Sequence, residues 1–315
     1  DANRFAIRLA RQITGRRRVL VFSYCYHGTV DETLIVVGPD GRVSSREGNV
    51  GPPIDPTETT SVVEFNDLDS LERVLREEEI ACVLTEPALT NIGIVLPEAG
   101  FHASLRELTQ STGTLLLIDE THTFSAGPGG YTAAHGLQPD ILTIGKAIAG
   151  GVPAGAFGMS DEVAERVAAQ AGADYEDTGG VGGTLAGNSL SAAAIRATLE
   201  EVLTPAAFER MIALAGRFAR GVQDALDANR LPWHVVQLGA RAEYGFLPEP
   251  PVSGGEAAAG ADPELEEYLH LFLLNRRVLI TPFHNMALMS PATEAEQVDR
   301  HSEAFAEACR LLVSA

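Results

Sequence analysis

Short apolar runs alternate along the first 190 residues with longer stretches whose apolar positions recur every three or four residues. The first stretch, residues 2–13, places Ala2, Phe5, Ala6, Leu9 and Ile13 on one helical face with arginines opposite. Runs at 19–22, 81–84, 115–118, 141–144 and 154–157 are short and uninterrupted, as in strands covered on both faces. Helical patterns at about 67–78 and 97–111 lie between some of them, which predicts βαβ units and a parallel sheet. Residues 31–62, rich in Gly, Pro, Thr and Ser, read as an irregular excursion.

After residue 187 the pattern changes. Helical segments at about 188–203 and 205–228 lead into short strands near 234–238, 241–246, 278–281 and 285–290. These alternate with helices near 262–276 and 293–313, the last opened by a Thr293/Glu296 capping box. Residues 248–260 read as a surface loop. The expected fold class is α/β: a large domain with a mostly parallel central sheet over 1–203, then a smaller C-terminal α+β domain over 204–315.

Composition narrows the function. With 315 residues, 45% hydrophobic, the chain has enough material for a large core, and a mean hydropathy of +0.05 is that of an ordinary soluble protein. No apolar run is long enough to span a bilayer, and a formal charge of −20 opposes nucleic-acid binding. Three cysteines, Cys25, Cys82 and Cys309, have no metal-type spacing and cannot all pair, which suits a reducing cytoplasm. Of the 23 basic residues one, Lys146, is lysine. Arginine stays protonated and cannot condense with a carbonyl, whereas a buried lysine can lose its proton and do so.

In an open parallel sheet, ligands bind beyond the carboxyl ends of the strands. Tyr26 and His27 follow the first expected strand, Glu86 the second, Asp119 and Glu120 the third, and Lys146 the fourth. A single crevice could thus hold an aromatic ring, an acid and an amine. Pyridoxal phosphate needs that set: a lysine for its aldehyde, a carboxylate for its pyridine nitrogen, an aromatic face for its ring. Taken alone, Asp119 reads as a strand-end cap; 27 residues before a buried-context lysine, it suits the pyridinium partner. The LLLIDE run resembles a Walker B strand, but Gly145-Lys146 lacks the earlier glycine and the following Ser or Thr of a phosphate loop.

The run 115–120 (LLLIDE), followed by 138–151 (QPDILTIGKAIAGG), resembles class III pyridoxal-phosphate transaminases, fold type I. The likeness is greatest to the branch holding glutamate-1-semialdehyde aminomutase and β-amino acid transaminases. Tyr26-His27-Gly28, Glu86-Pro87 with Asn91 and Gly93, and 183–188 (GTLAGN) continue it in order along nearly the whole chain. The resemblance implies that Lys146 holds the cofactor, Asp119 faces the ring nitrogen, Tyr26 stacks on the ring, and Asn91 bonds the ring's phenolate oxygen. It implies that Glu86 supports the ring environment near His27. Thr184 would bind the phosphate of a neighbouring subunit, making a homodimer with shared active sites. Read without the resemblance, Tyr26 is a half-buried aromatic, Asn91 a turn residue, and Thr184 a helix-entry cap after residues 179–183. The phosphate-binding turn and substrate arm of such proteins are expected before Asp1.

The implied reaction moves an amino group between an amine or β/ω-amino acid and a keto acid or ketone. An intramolecular aminomutase, or a non-catalytic subunit of the same fold, is the alternative. Two departures bear on the substrate. Thr121-His122-Thr123 replaces the valine and methionine that follow the Asp-Glu pair in many relatives. Phe283-His284-Asn285 lacks the carboxylate-binding arginine of β-amino acid transaminases; His284 is a weaker candidate for that role, and His122 reads as a loop histidine.

Overall fold

The fold described here is that of a computed structural model, which describes residues 1–51, 54–170 and 181–314. Ala2–Thr14 (α1) is an amphipathic helix whose buried face carries Asn3, Ala6, Ile7, Leu9, Ala10 and Ile13, and Gly15 closes it in a left-handed cap. Strand β1 (Arg18–Phe22) follows, then a two-stranded hairpin of β2 (Ile35–Val37) and β3 (Val43–Ser45). Next come β4 (Thr60–Val63), α2 (Leu68–Glu77), β5 (Ile80–Thr85), α3 (Phe101–Thr112) and β6 (Leu115–Asp119). The large region then continues through α4 (Gly130–His135), β7 (Ile141–Ile144), β8 (Ala156–Met159) and α5 (Asp161–Ala169).

The central sheet has the order β4-β1-β5-β6-β7-β8, parallel except for the antiparallel edge β8. Every residue of β5 and β6 is buried, because α1, α2, α3 and α5 cover the two faces. Phe22, Phe65 and Phe101 meet edge-on or tilted, with ring centroids 4.6–5.7 Å apart. Truncating Phe22 to Ala there costs about 3–5 kcal/mol.

A second core lies C-terminal to it. Helix α6 (Ser189–Ala197) runs on as a π-helical turn through Val202, and α7 (Pro205–Asn229) starts on Thr204, whose side chain accepts from Ala207 N. Strands β9 (His234–Leu238), β10 (Arg241–Gly245) and β11 (Met286–Leu288) form an antiparallel sheet in the order β11-β10-β9. Helix α8 (Gly254–Ala259) is short; α9 (Pro263–Leu274) and α10 (Ala295–Leu312) pack with α7 around Phe218, Leu269 and Phe305.

Several elements differ from the sequence expectation. The stretch 31–62 contains the β2–β3 hairpin and most of β4, an edge strand of the main sheet. Residues 248–260 include α8, whose cap is the Ser253 side chain accepting from Glu256 N at 3.1 Å. No strand forms at 278–281, where Arg277 has a positive φ of 64° and no sheet partner pairs with the segment. The expected strand at 154–157 is shifted to β8, since its register is fixed by pairing with β7. The capping box of α10 is Glu294 with Gln297, one residue beyond Thr293 and Glu296.

Candidate active site

At the carboxyl ends of the parallel strands lies a cavity of about 1210 Å³. It is lined by Tyr26 and His27 beyond β1, Glu86 beyond β5, Asp119 at the end of β6, and His122 and Lys146 beyond β6 and β7. Among the described residues, Lys146 is the one lysine or arginine on its wall.

Asp119 is 3% exposed and held on three sides. Its Oδ2 accepts from Asn3 Nδ2 at 2.7 Å and is 2.9 Å from His27 Nδ1, while Oδ1 accepts from Thr121 N at 3.0 Å. Burial opposes ionisation, yet the hydrogen bond and charge of His27, with Thr121, keep the carboxyl at about 2. His27 shifts upward: burial pulls it down, but Cys25 and the Asp119 carboxylate outweigh that. Asn3 is in turn anchored by Thr143, whose hydroxyl donates to Asn3 Oδ1 at 2.5 Å. Glu120, the other member of the Asp-Glu pair, turns away. It accepts from Thr123 Oγ1 and from Tyr131 N and Thr132 N at the start of α4.

Lys146 opens a single helical turn after Gly145 with φ 45°, a left-handed conformation that L residues adopt at a cost. Its Nζ is 2.6 Å from His122 Nε2 and 5.9 Å from the centroid of the half-buried Tyr26 ring. Desolvation lowers its pKa; Asp119 and Glu86 oppose this, and Arg241 adds to it. The half-buried His122 is pushed down to about 3, first by burial and then by the cationic side of the cavity that Arg241 braces.

Glu86 is buried; Oε2 accepts from the Thr90 hydroxyl, and Oε1 has no protein partner. Burial raises its pKa, so the carboxyl can retain a proton and donate into the cavity.

Two expected residues stand apart. Asn91 does not line the cavity. Turned so that its amide oxygen faces Arg46, it accepts from both terminal guanidinium nitrogens at 3.2 Å. Thr184 lies exposed in the turn before α6, between Gly183 and Leu185, which do reach the cavity. Of the loop 179–183 that precedes it, residues 179 and 180 lie outside the described residues.

Three residues that the sequence did not single out complete the surroundings. Asn3 is a polar residue on the otherwise apolar face of α1, a signal that was available. Arg241 and Glu243 start β10, both buried. Arg241 Nη2 donates to Glu243 Oε2 at 2.7 Å and to Thr90 O at 2.5 Å, and Nη1 is 3.3 Å from His122 Nδ1. Glu243 Oε1 meets His284 Nδ1 at 3.0 Å, so His284, a candidate for binding a substrate carboxylate, already has one.

These groups suit a pyridine aldehyde: a fixed carboxylate, an orphaned buried oxygen, an aromatic face and a reachable amine, all on one cavity. The family description Aminotransferase class-III matches residues 1–307. A glutamate-1-semialdehyde 2,1-aminomutase of Thermomicrobium roseum is 36% identical over 312 residues, covering 98% of this chain and 71% of the relative. The solved glutamate-1-semialdehyde-aminomutase of Pseudomonas aeruginosa PAO1, also solved in complex with PMP, is 49% identical. The PMP complex superposes with a TM-score of 0.94 over 98% of this chain and 69% of its own. An omega-transaminase from Sphaerobacter thermophilus is 29% identical, with a TM-score of 0.85 over 98% and 72%. No helix among the described residues is long and apolar enough to cross a membrane. The chain belongs to the class III aminotransferases, enzymes of fold type I that work with pyridoxal phosphate.

Proposed function

We propose that the chain transfers amino groups between small molecules with pyridoxal phosphate held on Lys146. The observation that carries this reading is the presence, on one cavity wall, of a buried carboxylate locked by Asn3, His27 and Thr121 together with the chain's single lysine. When bound, the cofactor supplies an aldehyde that takes up amines and a protonated ring that withdraws electrons from the substrate carbon.

The chain's residues do the rest. Asp119, locked by Asn3, His27 and Thr121, holds the proton on the ring nitrogen. Tyr26 offers its face to the ring, and a protonated Glu86 donates from its unpartnered oxygen. Lys146 would hold the cofactor, and its Nζ, when free, would take a proton from one carbon and return it to another. Thr184, exposed beside the cavity, serves the phosphate of a second copy in a homodimer.

The first reading of the reaction is transamination between an amine donor and a keto acid. The absence of arginine from the cavity wall, among the described residues, favours amines or small amino acids over substrates gripped by a buried guanidinium. Intramolecular transfer is the second reading, supported by the aminomutase relatives at 36% and 49% identity. Borohydride reduction with cofactor, followed by peptide mapping, should fix the label on Lys146; label elsewhere, or none, overturns the assignment. A ¹⁵N-labelled amine offered with an unlabelled keto acid separates the two reactions. Transamination delivers the label to the keto acid, and an aminomutase retains it on an isomer of the original molecule.

A further inference from the structure

We propose that His122 is a positioning residue: clamped by Arg241, it presents an Nε2–H to Lys146 and keeps that amine unprotonated and aimed into the cavity. Donor and acceptor identities carry this. A guanidinium has no acceptor and does not lose its proton, so His122 Nδ1, 3.3 Å from Arg241 Nη1, must be the accepting nitrogen. In a neutral imidazole the proton then sits on Nε2, which points at Lys146 Nζ 2.6 Å away. An ammonium has only donors; the nitrogen that accepts this hydrogen bond is an amine with a free lone pair.

The opposite assignment fails on the same distances. If Lys146 donated to Nε2, the ring proton would move to Nδ1 and point at Arg241, donor against donor. A doubly protonated ring would face cations on both sides.

Arg241 cannot swing away, because Glu243 and the Thr90 carbonyl hold its other terminal nitrogen. His284 in turn braces Glu243. The clamp therefore reaches from the antiparallel sheet of the second core across to the loop after β6.

Three ionisable groups bear on the amine: Arg241, Asp119 and Glu86. Arg241 disfavours an ammonium, whereas Asp119 and Glu86 favour one. Asp119 is engaged by His27, Asn3 and Thr121, and Glu86 by Thr90 through Oε2 alone. Around His122 itself stand Lys146, Arg241 and His284, with Asp119 as the opposing charge. The Tyr26 ring is the remaining neighbour of Nζ.

The inference rests on the reading of Lys146 as the cofactor-binding amine, since that role needs the lone pair that the clamp preserves. Because Lys146 is the single lysine of the chain, [ε-¹⁵N]lysine labelling gives one side-chain resonance. It can be titrated by NMR in the full chain without cofactor. The wild-type midpoint should lie below the ordinary value of about 10.4. His122→Leu fills the space but offers no N–H, and should raise the midpoint by about one pH unit. His122→Gln can accept from Arg241 and donate to Nζ, and should restore it. A wild-type midpoint at the ordinary value, an unmoved Leu variant, or a Gln variant that titrates with the Leu variant would each overturn the proposal. Normal titration with borohydride label on Lys146 sinks the clamp and leaves the function. A lowered, His122-dependent midpoint without label on Lys146 does the reverse.

Discussion

The two poles of the cavity are built on opposite electrostatic plans. At the Asp119 pole, charge is fixed: a carboxylate and an imidazole face each other in the buried end of the sheet, and three donors hold the acid while leaving an acceptor site on Oδ1. At the Lys146 pole, charge is held off: an amine on a strained turn meets a neutral imidazole and a distant aromatic face. A ring that must stay protonated needs a permanent negative partner. A group that must attach, detach and move a proton needs a pKa it can cross. The same strand ends supply both because the parallel sheet delivers backbone to one rim while separate loops set each environment.

Removing the exchangeable pole should do the most damage. Lys146→Ala should lower turnover by about 10⁴-fold or more and abolish borohydride fixing of the cofactor. A variant that keeps wild-type turnover would show that the amine is not the acting group. Removing the fixed pole should cost less in rate, about 10²–10³-fold for Asp119→Asn, because the amine still attaches while the ring loses its charged partner.

That second variant also breaks the comparison through stability. Asp119 moves from 3.8 to about 2 on folding, and so stabilises by about 2 kcal/mol above pH 4. This contribution is lost as pH falls through about 2. His27 shifts upward, so its contribution is complete below its unfolded value of 6.5 and is lost as pH rises through its higher folded value. The pair is worth most between about pH 4 and 6.5. Denaturant unfolding of Asp119→Asn should show a deficit of about 2 kcal/mol in that window, closing near pH 2. A deficit independent of pH would mean that the carboxylate is not fixed by its partners.

What the sequence disclosed follows the same divide. The meeting of Asp119 and Lys146 on one cavity was legible because continuous apolar runs announce buried parallel strands, and polar residues at their ends then have a place in space. The clamp on Lys146 was not, because Arg241 lies 119 residues from His122 and reads locally as an ordinary polar strand position. Its burial arises from the docking of one sheet near another, which no local period records. The contact of Asn91 with Arg46 was hidden for a related reason: Arg46 directly follows the hairpin inside the stretch expected to be irregular. Edge strand β4 was hidden by its shortness and Gly/Pro-rich approach. Helix α8 was nearer to recognition, since Ser253 with Glu256 three residues on is a helix-start signal that the surrounding glycines masked.

A third histidine supplies the control for both poles. His301 of α10 is buried among Phe218, Tyr244 and Phe305, with neither ring nitrogen partnered. It has neither the carboxylate of His27 nor the donor and amine of His122, and burial alone lowers it to about 4. A histidine that resists protonation in the folded chain adds no protonation cost above the unfolded value of 6.5, leaving only that of its unpaired nitrogens. Below it, the unfolded chain takes up a proton that the folded chain refuses, and stability falls until about pH 4. His301→Phe should therefore stabilise by about 1 kcal/mol at pH 7, from relief of the unpaired nitrogens. Its advantage should grow by about 2 kcal/mol by pH 5, seen as a flatter decline of unfolding free energy in acid. Turnover should be unchanged, as the ring lies in the second core, away from the cavity wall. If the substitution instead destabilised the chain increasingly as pH fell, His301 would have to be charged in the folded state. Burial without a counter-charge would then not be what separates it from His27.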